Sequence, residues 1–431
     1  MADAVRQVER TVRAVADADR LVADLGPGRA ATLSHGLPGT AVLLATLSAG
    51  DPGLARRAEH HWETAARLLR GRAPDGIHSG PGALAASVVV GGAYLRREPA
   101  ALGPATRWLT ARAEGLARHQ RRRLDAGGRG APWGVYDTVK GLSGIGRVLL
   151  AARTAGRTAA APGLTAALTT LTGLIIPSGG GLPGWWLPAE DHRLPLAGGP
   201  PPSGAATTGI AHGIAGPLAL LSLAAEAGHT VPGQTAAVRT AADWLLTWSD
   251  RVHGCPAHIS GDALRRPPDA RRLAAAPGRR HAWCYGAAGI GAALAHAGRA
   301  LSDAGLVRAG RDTVAAIGRW PEERWDTEGP GLCHGSAGIL QAARRAGTTG
   351  LARRALRLTP ELLTPEPSAS VPSVSAPPGE PGGGTDPADA PGGPAGIGFL
   401  GGATGAVCAL ADAEGLLPAP HTAWDALLLL S

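Results

Sequence analysis

Cysteine is scarce in this chain of 431 residues: four are present, and no two have the CxxC spacing. That scarcity excludes a disulfide scaffold. Two of the four lie in motifs taken up below, which leaves Cys255 and Cys408 as unpaired thiols and points to a reducing cytoplasm. Lysine is rarer still, Lys140 being the only one among 42 basic residues. Arginine, alanine and glycine abound instead, a bias that looks like GC-rich coding and weakens any argument from charge. The formal net charge of +8 nonetheless suits an acidic peptide segment or, at most peripherally, an anionic membrane, while no nucleic-acid-binding motif stands behind it. Long apolar runs are missing as well. Charges interrupt Met1 to Arg20, so no signal core is expected, and the tail Leu427 to Leu430 is far too short to cross a bilayer.

Glycine is plentiful, at 64 residues, and much of it is patterned. Seven motifs recur: His35-Gly36-Leu37-Pro38-Gly39, His78-Ser79-Gly80-Pro81-Gly82, Lys140-Gly141-Leu142-Ser143-Gly144, His212-Gly213-Ile214-Ala215-Gly216, Tyr285-Gly286-Ala287-Ala288-Gly289, His334-Gly335-Ser336-Ala337-Gly338 and Gly401-Gly402-Ala403-Thr404-Gly405. The second has serine at the first glycine position. After nearly every motif comes a run of helix formers, such as Thr40 to Leu47 or Pro217 to Ala225, and between motifs lies a second helical segment, such as Leu54 to Arg70 or Ala105 to Arg123. Each unit of about sixty residues therefore reads as a helical hairpin opened by its motif. Seven hairpins with small residues at matching positions suggest a closed ring. Its glycines would let helix starts crowd at one mouth, where free N–H groups and partial positive charge collect. Repeats spread so evenly argue for a single domain over 1–431, despite the length.

Two of the motifs carry sulfur. Trp283-Cys284-Tyr285-Gly286 and Cys333-His334-Gly335 together supply two thiols and one imidazole. Two thiolates and a neutral imidazole suit Zn²⁺, and three protein ligands leave a fourth tetrahedral position for water or substrate, as catalytic zinc sites require. Structural zinc sites are usually closed by four ligands, although another Cys or His could still close this one. The same cysteines could also serve as small buried hydrophobes.

The order and combination of these elements resemble the LanC family of lanthionine synthetase C proteins, over essentially the whole chain. The resemblance is carried by Tyr136-Asp137 followed by Gly141-Leu142-Ser143-Gly144, by Ala211-His212-Gly213-Ile214-Ala215-Gly216, by Arg280 through Trp283-Cys284-Tyr285-Gly286, and by Cys333-His334-Gly335. Gly398-Phe399-Leu400-Gly401-Gly402 and Trp424-Asp425 add to it. It implies an all-α double α/α toroid, seven inner helices inside seven outer ones, with small irregular insertions and Zn²⁺ held at one end by Cys284, Cys333 and His334. It implies a stand-alone cyclase. In that chemistry a cysteine of a dehydrated precursor peptide, leader and core together, binds zinc as thiolate. It attacks a dehydroalanine or dehydrobutyrine made by a separate dehydratase, closing a lanthionine or methyllanthionine ring. A dehydratase and an exporter are further candidate partners, since the sequence does not decide whether such an enzyme acts alone or in a complex.

The remaining roles follow from that chemistry. Addition builds an enolate, which must be stabilised and then protonated at its α-carbon by a positioned acid. By motif position the acid is His212, with Asp137 fixing its tautomer. Arg280 offers a permanent cation for the enolate oxygen or for orienting carboxylates, and Tyr285 a hydrogen-bond donor to substrate or zinc-bound water. Each residue also has a plainer reading. Asp137 could be an N-cap, Arg280 part of a solvated arginine face, and Trp283 packing. A histidine before GxxG could cap or pad a helix start, and for His35 and His78 the structural role is preferred.

Two stretches break the helical rhythm. Residues 178–208 are rich in Gly and Pro, with Trp185 and Trp186 between the breakers, and form a short insertion rather than a complete extra domain. Residues 364–394 read as a flexible surface loop. Besides the cyclase, two functions share the same signatures: a LanC-like zinc protein that binds or adds glutathione or another thiol, and a noncatalytic peptide-binding assembly module. Terpene cyclases, another toroid class, are disfavoured because no DDxxD or DxDD motif is present, and glycosidases because no carboxylate pair stands out.

Overall fold

The structure is a computed structural model that describes residues 2–176, 181–192, 201–250, 254–266, 268, 280–325, 328–363 and 396–431. Among them, seven helices form an inner ring: Leu37–Leu47, Gly80–Gly92, Leu142–Thr154, Ala215–Glu226, Ala287–Ala300, Ser336–Arg345 and Ala403–Ala413. Each packs on the next, and Ala403–Ala413 packs on Leu37–Leu47, which closes the ring. Most of these helices consist largely of Ala, Gly, Leu and Val, as helices enclosed by others must, and Leu37 to Thr46 are buried without a break; Ser336–Arg345 differs in ending on Arg344 and Arg345. Outside them lie Pro52–Leu68, Leu102–Asp125, Ala161–Ile175, Gln234–Thr247, Ala304–Ala315 and Thr349–Leu363, each packed on the inner helix before it in the chain. The helix Ala2–Val15 completes the outer layer by packing on Ala403–Ala413. The chain's first helix is thus the partner of its last inner helix.

Outer helices bury one stripe and expose the rest. Pro52–Leu68 buries Leu54, Ala58, His61, Trp62, Thr64 and Ala65. One outer stretch, Thr158–Ile175, is long and apolar enough to cross a membrane by length and composition, which the sequence reading overlooked. In the fold it packs between Leu102–Asp125 and Gln234–Thr247, and against Leu142–Thr154.

The motifs do open the inner helices, and the reason for their last glycine is steric. A β-carbon on Gly144 would lie 1.9 Å from the carbonyl oxygen of Thr138 and 2.9 Å from Ile77, and one on Gly405 would lie 1.9 Å from the Phe399 oxygen and 2.5 Å from Leu332. Gly39, Gly82, Gly216, Gly289 and Gly338 meet the carbonyl six residues back in the same way. Each glycine makes room for the loop entering its own helix, and Gly39, Gly144, Gly216, Gly289 and Gly405 make room for a side chain of the preceding repeat as well.

Those entering loops join into a belt of backbone hydrogen bonds. Leu33 N donates to His78 O, Ile77 N to Val139 O, Thr138 N to Ala211 O, Ala211 N to Cys284 O, Trp283 N to Cys333 O, Cys333 N to Leu400 O and Leu400 N to Ser34 O. Every repeat donates to the next, and the last donates to the first. Inside the inner ring lies the C-terminal segment, with the 3₁₀ turn Trp424–Leu428 buried. It is held from several repeats: Trp424 N donates to Tyr94 Oη, Arg345 and Gln341 donate to the Asp425 carboxylate, Trp283 Nε1 donates to Leu428 O, and Arg147 Nε donates to Ser431 O.

The insertion 178–208 is less irregular than expected. Its described part contributes strands β1 (Trp186–Leu187) and β2 (Ala205–Thr207), and β3 (His258–Ser260) completes an antiparallel sheet in the order β1-β2-β3, with Trp186 opposite Ala206 and Thr207 opposite His258. Trp185 is buried edge-on against Trp244 of an outer helix, their ring centroids 5.1 Å apart, which fixes the sheet to the toroid. The expected loop 364–394 lies outside the described residues.

Candidate functional site

The belt brings the motif loops of separate repeats to one mouth. Trp283 N to Cys333 O ties the loop carrying Cys284 to the loop carrying Cys333 and His334. As a result, the two sulfurs and an imidazole nitrogen lie within 4.8 Å of one another, with Cys333 Sγ 3.9 Å from His334 Nε2. Tetrahedral Zn²⁺, with bonds of about 2.3 Å to sulfur and about 2.0 Å to nitrogen, sets its ligand atoms at roughly this spacing. The donor set and its size therefore fit zinc. Among the described residues no fourth ligand joins the cluster; Cys255 instead faces Trp248 O, and Cys408 is buried within an inner helix.

The cluster is prepared for a cation. Burial pushes the Cys284 thiol up, but hydrogen bonds from Cys333 and His334, with the charges of His334 and Arg280, outweigh it and bring it down to about 5. Cys333, half-buried and donating its hydrogen to that sulfur, is pushed well above the usual thiol range. Cys284 is therefore the first of the pair to ionise.

Sequence reasoning missed Glu328. Its backbone N–H donates to His334 O at 2.6 Å, its Oε1 accepts from Arg280 at 2.8 Å, and its Oε2 lies 3.9 Å from His334 Nδ1. A carboxylate behind a ligating histidine fixes ring orientation and tautomer. Arg280 thus engages a carboxylate of its own chain. Glu328 stands in no motif, so only the folded loop reveals it.

The second group is His212 with Asp137. Thr138 N to Ala211 O draws their loops together, and His212 Nδ1 lies 2.6 Å from Asp137 Oδ2. That contact commits Nδ1 and leaves Nε2 as the nitrogen able to exchange a proton with a substrate. The other oxygen, Oδ1, accepts the N–H groups of Lys140 and Gly141 at 2.6 and 2.8 Å. Asp137 is not an N-cap, since Gly141 occupies that place before Leu142–Thr154. His212 is further held by its carbonyl, which accepts from Thr207 Oγ1 at 2.7 Å and Tyr136 Oη at 3.1 Å. Its ring is flanked by Trp133 and Tyr285, with centroids 5.5 and 6.0 Å away. Tyr136, Thr207 and Trp133 were not foreseen as site residues.

Tyr285 joins the two groups, being adjacent to Cys284 in sequence and facing His212 in space. Its hydroxyl is buried without a hydrogen-bond partner among the described residues. Burial first, and then the charge of Cys284, push its pKa well above the usual phenol value. The hydroxyl is a neutral donor awaiting an acceptor. Trp283 is confirmed as packing: it is 1% exposed and its indole N–H is spent on the C-terminal segment.

The profile of the lanthionine synthetase C-like protein family matches residues 29–352. Among solved structures, a nisin cyclase aligns with a TM-score of 0.73 over 99% of this chain and 97% of its own, at 20% sequence identity. That likeness is one of fold. No curated protein matches it at the level of sequence.

Proposed function

The chain belongs to the lanthionine synthetase C-like family, and from that premise we propose that it is a zinc-dependent peptide cyclase forming lanthionine and methyllanthionine thioether rings in a dehydrated precursor peptide. The observation that carries this reading is the meeting at one mouth of two dissimilar groups: the three-ligand cluster Cys284, Cys333 and His334, and the carboxylate-oriented imidazole of His212, with Tyr285 between them. Cys284, Cys333 and His334 would hold the metal ion, whose Lewis acidity would lower the pKa of a peptide thiol, ordinarily ~8.5 and so mostly protonated at neutral pH, letting its proton pass to solvent.

The chain's own residues account for the other steps. Glu328 holds Arg280 and His334 in register. The peptide lies over the mouth with its cysteine sulfur facing the β-carbon of a dehydroalanine or dehydrobutyrine. As the S–Cβ bond forms, the C=C electron pair shifts toward the neighbouring carbonyl as an enolate, to which the Tyr285 hydroxyl donates. His212 then delivers a proton from Nε2 to the α-carbon while Asp137 keeps Nδ1 in place. The thiol hydrogen lost is balanced by the hydrogen gained at the α-carbon, so peptide mass does not change. A reducing cytoplasm suits a chain whose four cysteines form no disulfide. A dehydratase or exporter would be met there as a further partner.

Zinc content, measured together with alkylation of free thiols on a dehydrated precursor, tests this reading. The wild type should bind one zinc and remove alkylatable thiols at constant peptide mass. Cys333→Ala should lose both, and His212→Ala should keep its zinc but close rings about 10²–10⁴-fold more slowly. Wild-type zinc with every thiol left alkylatable would refute the cyclase, and would point to a small thiol such as glutathione or to noncatalytic binding.

A further inference from the structure

Positive charge is placed unevenly around the rim of the toroid. Inner helices start at the mouth, so each outer helix, as the returning arm of its hairpin, ends there. Of the six outer helices that follow an inner one, only Pro52–Leu68 and Leu102–Asp125 have basic residues in the last turn; Ala161–Ile175, Gln234–Thr247, Ala304–Ala315 and Thr349–Leu363 have none. Leu102–Asp125 is the extreme case. Residues 118–129 set five arginines, Arg118, Arg121, Arg122, Arg123 and Arg129, against one acid, Asp125, a surplus of four that is half of the net charge of +8. Two of the five have work within the fold. Arg118 lies 3.9 Å from Glu114, and Arg123 Nη1 donates to Arg129 O at 2.6 Å and Gly130 O at 2.7 Å, helped by Gln120 Nε2, which donates to the same Gly130 oxygen at 2.7 Å. Arg121, Arg122 and Arg129 are exposed and meet no carboxylate among the described residues. Leu124 adds apolar surface in their midst, and at 51% it is the most exposed large hydrophobic among the described residues. The loop that Gln120 and Arg123 pin leads directly to the site: Ala131 N donates to Gly184 O at 2.9 Å, and the Trp133 ring lies 5.5 Å from that of His212. Arg129 and Trp133 are four residues apart in sequence, so their α-carbons are separated by at most about 14 Å.

We propose that the arginine-bearing end of Leu102–Asp125 is a docking surface for an acidic segment of the precursor peptide, held there while another part of the same peptide lies over the mouth. That the occupant is a precursor peptide rests on the cyclase reading. Guanidinium groups pair with carboxylates through parallel hydrogen bonds, and Arg121, Arg122 and Arg129 have no carboxylate to give up first. A peptide fits better than an anionic membrane, because the charge is gathered at the end of one helix, within a few extended residues of His212. Docking at the rim raises the concentration of the peptide's reacting groups at the mouth without a new contact to them. It binds ground state and transition state alike, and so lowers KM while leaving kcat as it is.

The test uses the full-length, zinc-loaded protein and two labelled synthetic peptides that share a core with one dehydroalanine and one downstream cysteine. One carries an upstream segment rich in Asp and Glu, the other the same segment with Asn and Gln in their place. By fluorescence anisotropy, wild type should bind the acidic peptide about tenfold more tightly, the combined effect of a few exposed ion pairs. The preference should vanish as NaCl rises from about 0.05 M to about 0.5 M. Arg121→Gln/Arg122→Gln/Arg129→Gln should bind both peptides with the wild-type affinity for the neutral one, with kcat within about twofold of wild type and zinc content and thermal midpoint preserved. The same loss of charge on the outer helix Ala2–Val15, Arg6→Gln/Arg10→Gln/Arg13→Gln, should leave the preference intact. A wild type without preference, a preference that survives in the Arg121 triple variant, or an equal loss in both triple variants overturns the proposal. So does release of the Arg121 triple variant from phosphatidylglycerol vesicles with its peptide affinities unchanged, which assigns the surface to a membrane. Should the triple variant fail to fold, Arg122→Gln and Arg129→Gln singly take its place, each losing about twofold of the preference. A wild type that closes no ring defeats the cyclase reading alone, since the anisotropy measurement needs no reaction and still reads the rim.

Discussion

At the scale of single residues, Asp137 divides its two oxygens between structure and chemistry. Oδ1 receives the Lys140 and Gly141 amides, and Oδ2 meets His212 Nδ1. Asparagine can keep the first task with its carbonyl oxygen, but it places an amide where the carboxylate held the imidazole. Asp137→Asn is therefore expected to fold with a thermal midpoint close to wild type and to bind zinc, while ring closure slows roughly 10- to 100-fold. Activity equal to wild type would reduce Asp137 to a loop residue. Glu328 acts on the other group. With Glu328→Ala, Arg280 and His334 lose their common partner, so zinc affinity should fall roughly 10- to 100-fold in competition with a chelator; unchanged affinity would mean that the 3.9 Å approach to Nδ1 does nothing for the ligand.

At the scale of elements, the inner and outer helices are stabilised differently. Two of the outer helices carry side-chain caps, Asp51 accepting from Gly53 N and Asp303 from Leu306 N, while Leu102–Asp125, Ala161–Ile175 and Gln234–Thr247 carry none. None of the seven inner helices has one, because their first turns are given over to the belt and the mouth. Glycine substitutions separate these settings. Gly144→Ala forces a methyl to within 1.9 Å of Thr138 O and should cost about 3 kcal/mol in denaturant unfolding, the upper range for overpacking. Gly115→Ala, on an outer helix with nothing within 4 Å of the added carbon, should instead stabilise by about 0.5–1 kcal/mol. Equal effects at the two sites would refute the steric account of the motif glycine. The motif glycines and the helix-forming runs behind them made these hairpins legible in the sequence. Strands of two or three residues such as Trp186–Leu187 and Ala205–Thr207 were not, because so short a segment has no period to read and exists only through its pairing.

At the scale of the whole molecule, closure is secured three times: by the belt at the mouth, by Ala2–Val15 on the last inner helix, and by the buried segment within the ring. The last depends on Asp425, which is fully buried. Burial alone would raise its carboxyl, but the charge and hydrogen bonds of Arg345, with Gln341, hold it below the ordinary range. A folded pKa below the unfolded ~3.9 gives stability that is complete above that value and is lost as pH falls through the lower, folded one. Wild type should accordingly lose stability steeply in acid titration below pH ~4. Asp425→Asn should be about 2 kcal/mol less stable at neutral pH, a figure discounted because Arg345 reaches solvent, and flatter in acid. Identical acid profiles for the two proteins would show that the pair contributes no pH-dependent stability. What the sequence determined by itself was local and periodic: seven glycine motifs, the hairpins they open, and the donor types of Cys284, Cys333, His334 and His212, since chemistry and periodicity are properties of residues in order. What only the tertiary structure decided was which of those residues meet. Glu328 behind His334, Asp137 serving two loops and Trp133 against His212 all depend on approaches between loops far apart in the chain. Those distances exist only once the ring has closed.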